Sequence, residues 1–100
     1  MEKASFEEVI AYLKKNRILF HDKFGITRMG IFGSFARGEQ TPSSDIDMVV
    51  EMSKEKKNIH NFLEFKRLIE REMKRKVDMG FERFLKTAVR EKIKKQIIYV

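Results

Sequence analysis

The chain has no cysteine among its 100 residues, so neither a disulfide nor a thiolate metal site can form. No run approaches the ~20 consecutive apolar residues that cross a bilayer. The opening Met1-Glu2-Lys3-Ala4-Ser5 lacks the apolar core of a secretion signal, and a cytoplasmic protein is expected. Gly30, Gly33 and Gly38 do not make Gly-x-Gly-x-x-Gly, and no Gly-Lys-Ser/Thr occurs. The two best-known phosphate loops are thereby excluded. Internal repeats and low-complexity tracts are absent too, and the only proline is Pro42.

Hydrophobic residues make up 42% of the chain, enough for a small core. One hundred residues without a linker point to one domain, 1–100. A domain this small is marginal alone and can lean on a partner or on other copies, so a homo- or hetero-oligomer is an open expectation. The formal charge of +7 is uneven. Residues 1–50 hold seven Lys/Arg and seven Asp/Glu, while residues 51–100 hold fifteen against eight. A basic half can attract nucleic acid or an acidic partner. Here the lysines alternate with apolar residues as helix surfaces do, and solvated helix faces are the favoured reading. No aromatic stacking pattern or recognition motif supports nucleic-acid binding, which ranks last.

Ser5-Phe6-Glu7-Glu8 opens a helix, with Ser5 as cap and Glu8 at the capping-box position. Phe6, Val9, Ile10 and Leu13 follow at helical spacing as core. His21 and Asp22 are read into a linking stretch that ends at Gly25. Ser53–Asn58 is polar and reads as a loop. Ile59, Phe62, Leu63, Lys66, Ile69 and Met73 then predict a helix to about Lys74, widened by Phe65 and Leu68 and packed on a sheet. Val77-Asp78-Met79 reads as a strand. Phe81–Lys95 reads as one or two short helices, the second capped by Thr87. Ile97-Ile98-Tyr99-Val100 can be an edge strand or an exposed docking tail.

The chemistry concentrates in residues 30–50, GIFGSFARGEQTPSSDIDMVV. Thr27–Phe32 reads as a strand ending at glycine, and Asp45–Met52 alternates as a second strand. Asp45 and Asp47 then share one face, with Cα atoms about 6.5–7 Å apart at roughly 3.3 Å per residue. Residues 34–44 are too few for a comfortable parallel crossover, so the two strands should run antiparallel. Gly33-Ser34 would then lie beside Asp45. Residues 34–38 can form one helical turn whose first N–H groups bind phosphate oxygens. Gly33 permits close approach of a ligand to the backbone. Ser34 adds a hydroxyl, and Arg37 a guanidinium fork. Glu39 is a rim carboxylate or plain surface.

Carboxylates beside a phosphate cradle make chemical sense through Mg²⁺, which binds one or two carboxylates together with substrate phosphates. Two such ions clamp the attacking and leaving oxygens of a displacement at phosphorus. A third carboxylate usually completes such a site. Asp78, in the short apolar segment after the long helix, is the candidate.

Gly33-Ser34-Phe35-Ala36-Arg37-Gly38-Glu39, followed by Ser44-Asp45-Ile46-Asp47 and the later Asp78, resembles the minimal nucleotidyltransferase branch of the DNA polymerase β-like superfamily. The resemblance covers nearly the whole chain, including Arg90 through Val100. It implies an α+β fold, a small mixed sheet of three or four strands flanked by helices. It also implies ATP as substrate and two Mg²⁺ ions. Asp45 and Asp47 would hold the metals, and Asp78 would complete one and help deprotonate the acceptor. Gly33, Ser34 and Arg37 would bind the nucleotide's phosphates.

Similar proteins are antitoxins paired with HEPN-domain ribonuclease toxins. The resemblance therefore implies AMP transfer to a tyrosine of such a toxin. Two alternatives stand beside it. One is a non-catalytic antitoxin that neutralises its HEPN partner by contact; the other is a nucleotidyltransferase acting on RNA or a small molecule. The paired Asp45 and Asp47 argue against the first, since a pure binder has no need of two like charges side by side. Relatives that modify antibiotics or RNA usually carry an additional domain, which argues against the second.

Overall fold

The computed structural model describes residues 4–39, 41 and 43–100. The expectations for Met1–Lys3, and for Gln40 and Pro42 in the loop, lie outside the described residues. Helix α1 is Phe6–Lys15, α2 Arg17–Phe24, α3 Ser34–Arg37, α4 Ile59–Met73 and α5 Thr87–Lys94. Strands β1 (Ile26–Phe32), β2 (Ile46–Met52), β3 (Val77–Phe81) and β4 (Ile98–Tyr99) form one sheet in the order β3-β2-β1-β4. The fold is α+β with a mixed four-stranded sheet.

The expected antiparallel pairing of the first two strands is present, with Phe32 opposite Asp47 and Met29 opposite Val50. α4 then carries the chain across to β3, which pairs parallel to β2. Ile97–Val100 supplies an edge strand, with Gly30 opposite Tyr99 in an antiparallel pair. The fit there is close: a Cβ on Gly30 would lie 2.6 Å from Ile97 Cγ2.

One face of the sheet carries the core. Val9 and Leu13 of α1, Phe20 and Phe24 of α2, and Phe65, Ile69 and Met73 of α4 pack against Ile31, Ile46, Met48 and Val50. Phe65 is the aromatic centre, with its ring 5.0 Å from Phe20 and 5.3 Å from Phe24. The alternation of β2 turns Asp47, Val49 and Glu51 to the opposite face. Val49 is buried there outside the main cluster, as is Ile93 of α5.

α1 starts as its sequence predicts. The Ser5 hydroxyl accepts from the Glu8 N–H at 3.2 Å, and the Ser5 N–H donates to Glu8 Oε1 at 3.0 Å. Three local expectations are corrected. Residues 17–24 form helix α2 and not a linking stretch. Phe20 and Phe24 are four apart on its buried side, and Gly25 ends it. Ile59, 70% exposed, lies outside the core, because the buried row of α4 runs through Phe65, Ile69 and Met73. Thr87 is the first residue of α5 and not its cap; Lys86 holds that position without a side-chain hydrogen bond.

Candidate active site

The site is built where β1 ends and where β2 and β3 begin. Antiparallel pairing puts Phe32 beside Asp47, so Gly33 turns over the Asp47 side chain. Gly33 has φ 74° and ψ −149°, a backbone region that only glycine enters without strain. The space is closed to a side chain as well. A Cβ there would collide with Asp47 Oδ2 and lie 3.1 Å from Asp47 Cγ. Backbone and carboxylate thus meet with nothing between them.

After Gly33 the chain makes the single turn α3. Phe35, 1% exposed, anchors that turn in the core. Its neighbours Ser34 and Ala36 stay half-buried, and Arg37 is exposed. The Arg37 N–H donates to Gly33 O at 3.1 Å and the Glu39 N–H to Ser34 O at 2.9 Å. The first N–H groups of such a turn have no partner within it. The Arg37 guanidinium meets Glu39 at 3.4 Å and Gln96 Oε1 at 3.4 Å. Glu39 is an exposed carboxylate paired with Arg37.

The parallel register of β2 and β3 sets Asp47 directly beside Asp78. Neighbouring strands lie about 4.8 Å apart, and paired residues face the same side. Asp45 stands just before β2, two residues from Asp47, and its charge reaches that carboxylate. Asp45 and Asp78 are exposed and Asp47 is half-buried. Burial pushes the Asp47 carboxyl up from its ordinary value. The charges of Asp78 and Asp45 push it further, and Arg37 opposes them. Asp47 thus feels Asp78, Asp45 and Arg37 together.

Among the described residues no group of three or more His, Asp or Glu is placed to hold a metal ion by itself. The three aspartates instead offer open, hard oxygen donors around one half-buried charge. That fits Mg²⁺, which takes one or two carboxylates and completes its shell from water and substrate phosphates.

A cavity of roughly 640 Å³ borders Asp45, lined by Ser43, Ser44, Glu70, Lys74, Arg75 and Lys76. Arg75 was passed over by sequence reasoning. It sits in a basic run, Lys74-Arg75-Lys76, and such runs usually mark a solvated surface. In the fold it is half-buried and donates to the carbonyls of Thr41 and Ser44, just before Asp45. His21 and His60 are exposed, pairing with Asp22 and Glu64 away from these carboxylates.

Comparison with known proteins agrees with this fold. A family model described as a nucleotidyltransferase domain matches residues 13–100. Protein adenylyltransferase MntA of Thermococcus cleftensis is 27% identical over 100 residues, the whole of both chains. A Methanocaldococcus jannaschii protein, provisionally named a protein adenylyltransferase, is 34% identical over 96% of this chain and 98% of its own. A solved structure provisionally named a minimal nucleotidyltransferase has a TM-score of 0.80 and 27% identity, covering 95% of each chain. A toxin–antitoxin structure with AMP-PNP has the same fold, with a TM-score of 0.69 and 22% identity over 86% of this chain and 69% of that one. No helix among the described residues is long and apolar enough to cross a membrane. With its turn at Gly33 and its three aspartates on such a sheet, the chain belongs to the nucleotidyltransferase domain family, in the minimal, MntA-like branch.

Proposed function

We propose that residues 1–100 form one catalytic domain that moves AMP from ATP to a hydroxyl of a protein acceptor in the cytoplasm. The acceptor is a tyrosine of a HEPN-type toxin, and the transfer silences it. The observation that carries this reading is the register of Asp47 beside Asp78, with Gly33 closed onto the Asp47 carboxylate. The names of the relatives support protein as the acceptor. The toxin–antitoxin structure with AMP-PNP supports a toxin partner and a nucleoside triphosphate.

In this reading Gly33 and Ser34 receive the terminal phosphates, with backbone N–H groups as donors. Arg37 exchanges its contacts with Glu39 and Gln96 for phosphate oxygens. Asp45 and Asp47 would hold two Mg²⁺ ions, and Asp78 would be a further carboxylate for one of them. The metal, when bound, supplies charge neutralisation at the transferring phosphate. Asp78 takes the proton from the acceptor hydroxyl. The oxygen–Pα bond then forms as the Pα–O–Pβ bond breaks, and pyrophosphate leaves with the displaced charge. No covalent enzyme intermediate is needed, because positioning and electrostatics suffice for this class of reaction.

The test is incubation with α-labelled ATP, Mg²⁺ and either a host lysate or the product of the adjacent reading frame, beside Asp47→Asn. Label on a protein band with the native chain alone is the expected result, and that band names the acceptor. Label in RNA would replace the acceptor class. If neither chain labels anything and both inhibit the partner equally, inhibition by contact replaces catalysis.

A further inference from the structure

We infer that Arg75 is a positioning residue that holds the two halves of the nucleotidyl-transfer site in register. The inference rests on the reading of the site given above. It starts from a chain problem. The motif halves, Gly33–Arg37 and Asp45–Asp47, are joined by residues 38–44, which contain no helix or strand among the described residues. Asp45 itself precedes the first residue of β2 and is exposed. A carboxylate at that position gets little orientation from the sheet ladder.

Arg75 supplies it from the far side. Nη1 donates to Thr41 O at 3.0 Å and to Ser44 O at 2.9 Å. Nε donates to Ala4 O at 2.9 Å, which ties the same side chain to the entry of α1. The guanidinium also lies 4.8 Å from the centre of the Phe35 ring, within cation–π range. Phe35 is the buried anchor of α3, directly after Ser34. One planar group thus touches the α3 turn through Phe35 and the Asp45 approach through Ser44.

The backbone reinforces this arrangement. Ser44 N–H donates to Thr41 O at 3.0 Å, the same carbonyl that Arg75 holds. Ile46 N–H donates to Lys76 O at 2.9 Å, so the two residues flanking Asp45, Ser44 and Ile46, are bound by the consecutive residues Arg75 and Lys76. The arrangement suits arginine and not lysine. A guanidinium presents five donors in a fixed plane and stacks on a ring, whereas an ammonium is a point charge on a flexible stem.

The experiment compares native protein with Arg75→Met and Arg75→Lys, well below the melting temperature of each. Two quantities are read: amide hydrogen exchange at Ser44, Asp45 and Ile46, and Mn²⁺ affinity in the presence of ATP. Loss of the fork should speed exchange there about tenfold while α4 keeps its protection. Mn²⁺ affinity should fall by about tenfold, the lower end for removal of a group that orients a metal ligand. Arg75→Lys should fail to restore either quantity, and it carries the test if Arg75→Met does not fold. Native exchange in both variants would overturn the inference. Faster exchange with Mn²⁺ affinity unchanged would also overturn it, leaving Arg75 as scaffold only. If native protein itself binds no Mn²⁺ with ATP, the catalytic reading falls, and exchange alone decides whether Arg75 holds the loop.

Discussion

The Asp47 carboxylate stands where residue 33 would carry its Cβ, so Gly33 and Asp47 can be close only because one of them has no side chain. The left-handed φ of 74° at Gly33 imposes the same choice of residue a second time. The turn that would take the phosphates and the carboxylate that would take the metal in the proposed reading are therefore one steric unit.

Gly33→Ala should accordingly damage both stability and chemistry. The backbone region alone costs of order 1–3 kcal/mol for a non-glycine residue. The new methyl must also displace the carboxylate that Mg²⁺ would use. Denaturant melts should show the destabilisation, and AMP transfer should disappear in samples that remain folded. A folded, fully active Gly33→Ala would show that the turn and Asp47 work independently.

For Asp47→Asn, stability and activity should move in opposite directions. The folded-state pKa of Asp47 is raised, by burial first and then by Asp78 and Asp45. Its favourable contribution is thus complete below the unfolded-state pKa and is lost as pH rises through the folded-state one. At neutral pH the ionised group is a net cost. Removing that charge should raise Tm slightly, since solvent screens a partly exposed group, while abolishing transfer. Mg²⁺ should raise the native Tm and leave that of Asp47→Asn nearly unchanged. A lower Tm for Asp47→Asn at pH 7 would refute this account.

An NMR titration of the metal-free protein should show an acid limb for the Asp47 carboxylate. It should lie above the ordinary aspartate value of about 3.9. Arg37 opposes the rise, so Arg37→Gln should move the limb to still higher pH. An unmoved limb would mean that Arg37 has no electrostatic hold on Asp47.

Away from the site, the reciprocal cap of α1 gives a control. Ser5→Ala should cost about 1 kcal/mol, or roughly 4–8 °C in Tm. Transfer below the melting temperature should be untouched. Glu8 is held below its usual carboxylate value, chiefly by the Ser5 backbone N–H. Its contribution is present above the unfolded-state pKa and fades as pH falls through the lowered folded-state one. The difference between native protein and Glu8→Gln should therefore shrink in acid.

What could be read beforehand follows physical range. The antiparallel pairing of β1 and β2 was legible because a connection this short leaves few other routes. The cap at Ser5 was legible because its partner is three residues away. α2 was not. Its two buried phenylalanines share eight residues with exposed Ile18 and Leu19, so the apolar pattern points to both faces at once. Asp78 could be nominated from its segment, but its alignment with Asp47 depends on how α4 delivers β3 to the sheet. Arg75 left no trace in a basic triplet; only the fold shows which of three neighbouring cations turns inward.

The parallel placement of β3 also bears on how the site comes into being. Gly33, Asp45 and Asp47 belong to a local hairpin of β1, α3 and β2, whose contacts span short stretches of chain. Asp78 arrives only after α4 has crossed the sheet and β3 has docked beside β2. Nascent chains that have closed only the hairpin hold two carboxylates and cannot complete the triad. Partial unfolding that peels β3 from its edge would dismantle it just as surely, at less than the cost of global unfolding. On the proposed reading, competence for transfer therefore depends on the long-range docking of β3 as well as on the local hairpin.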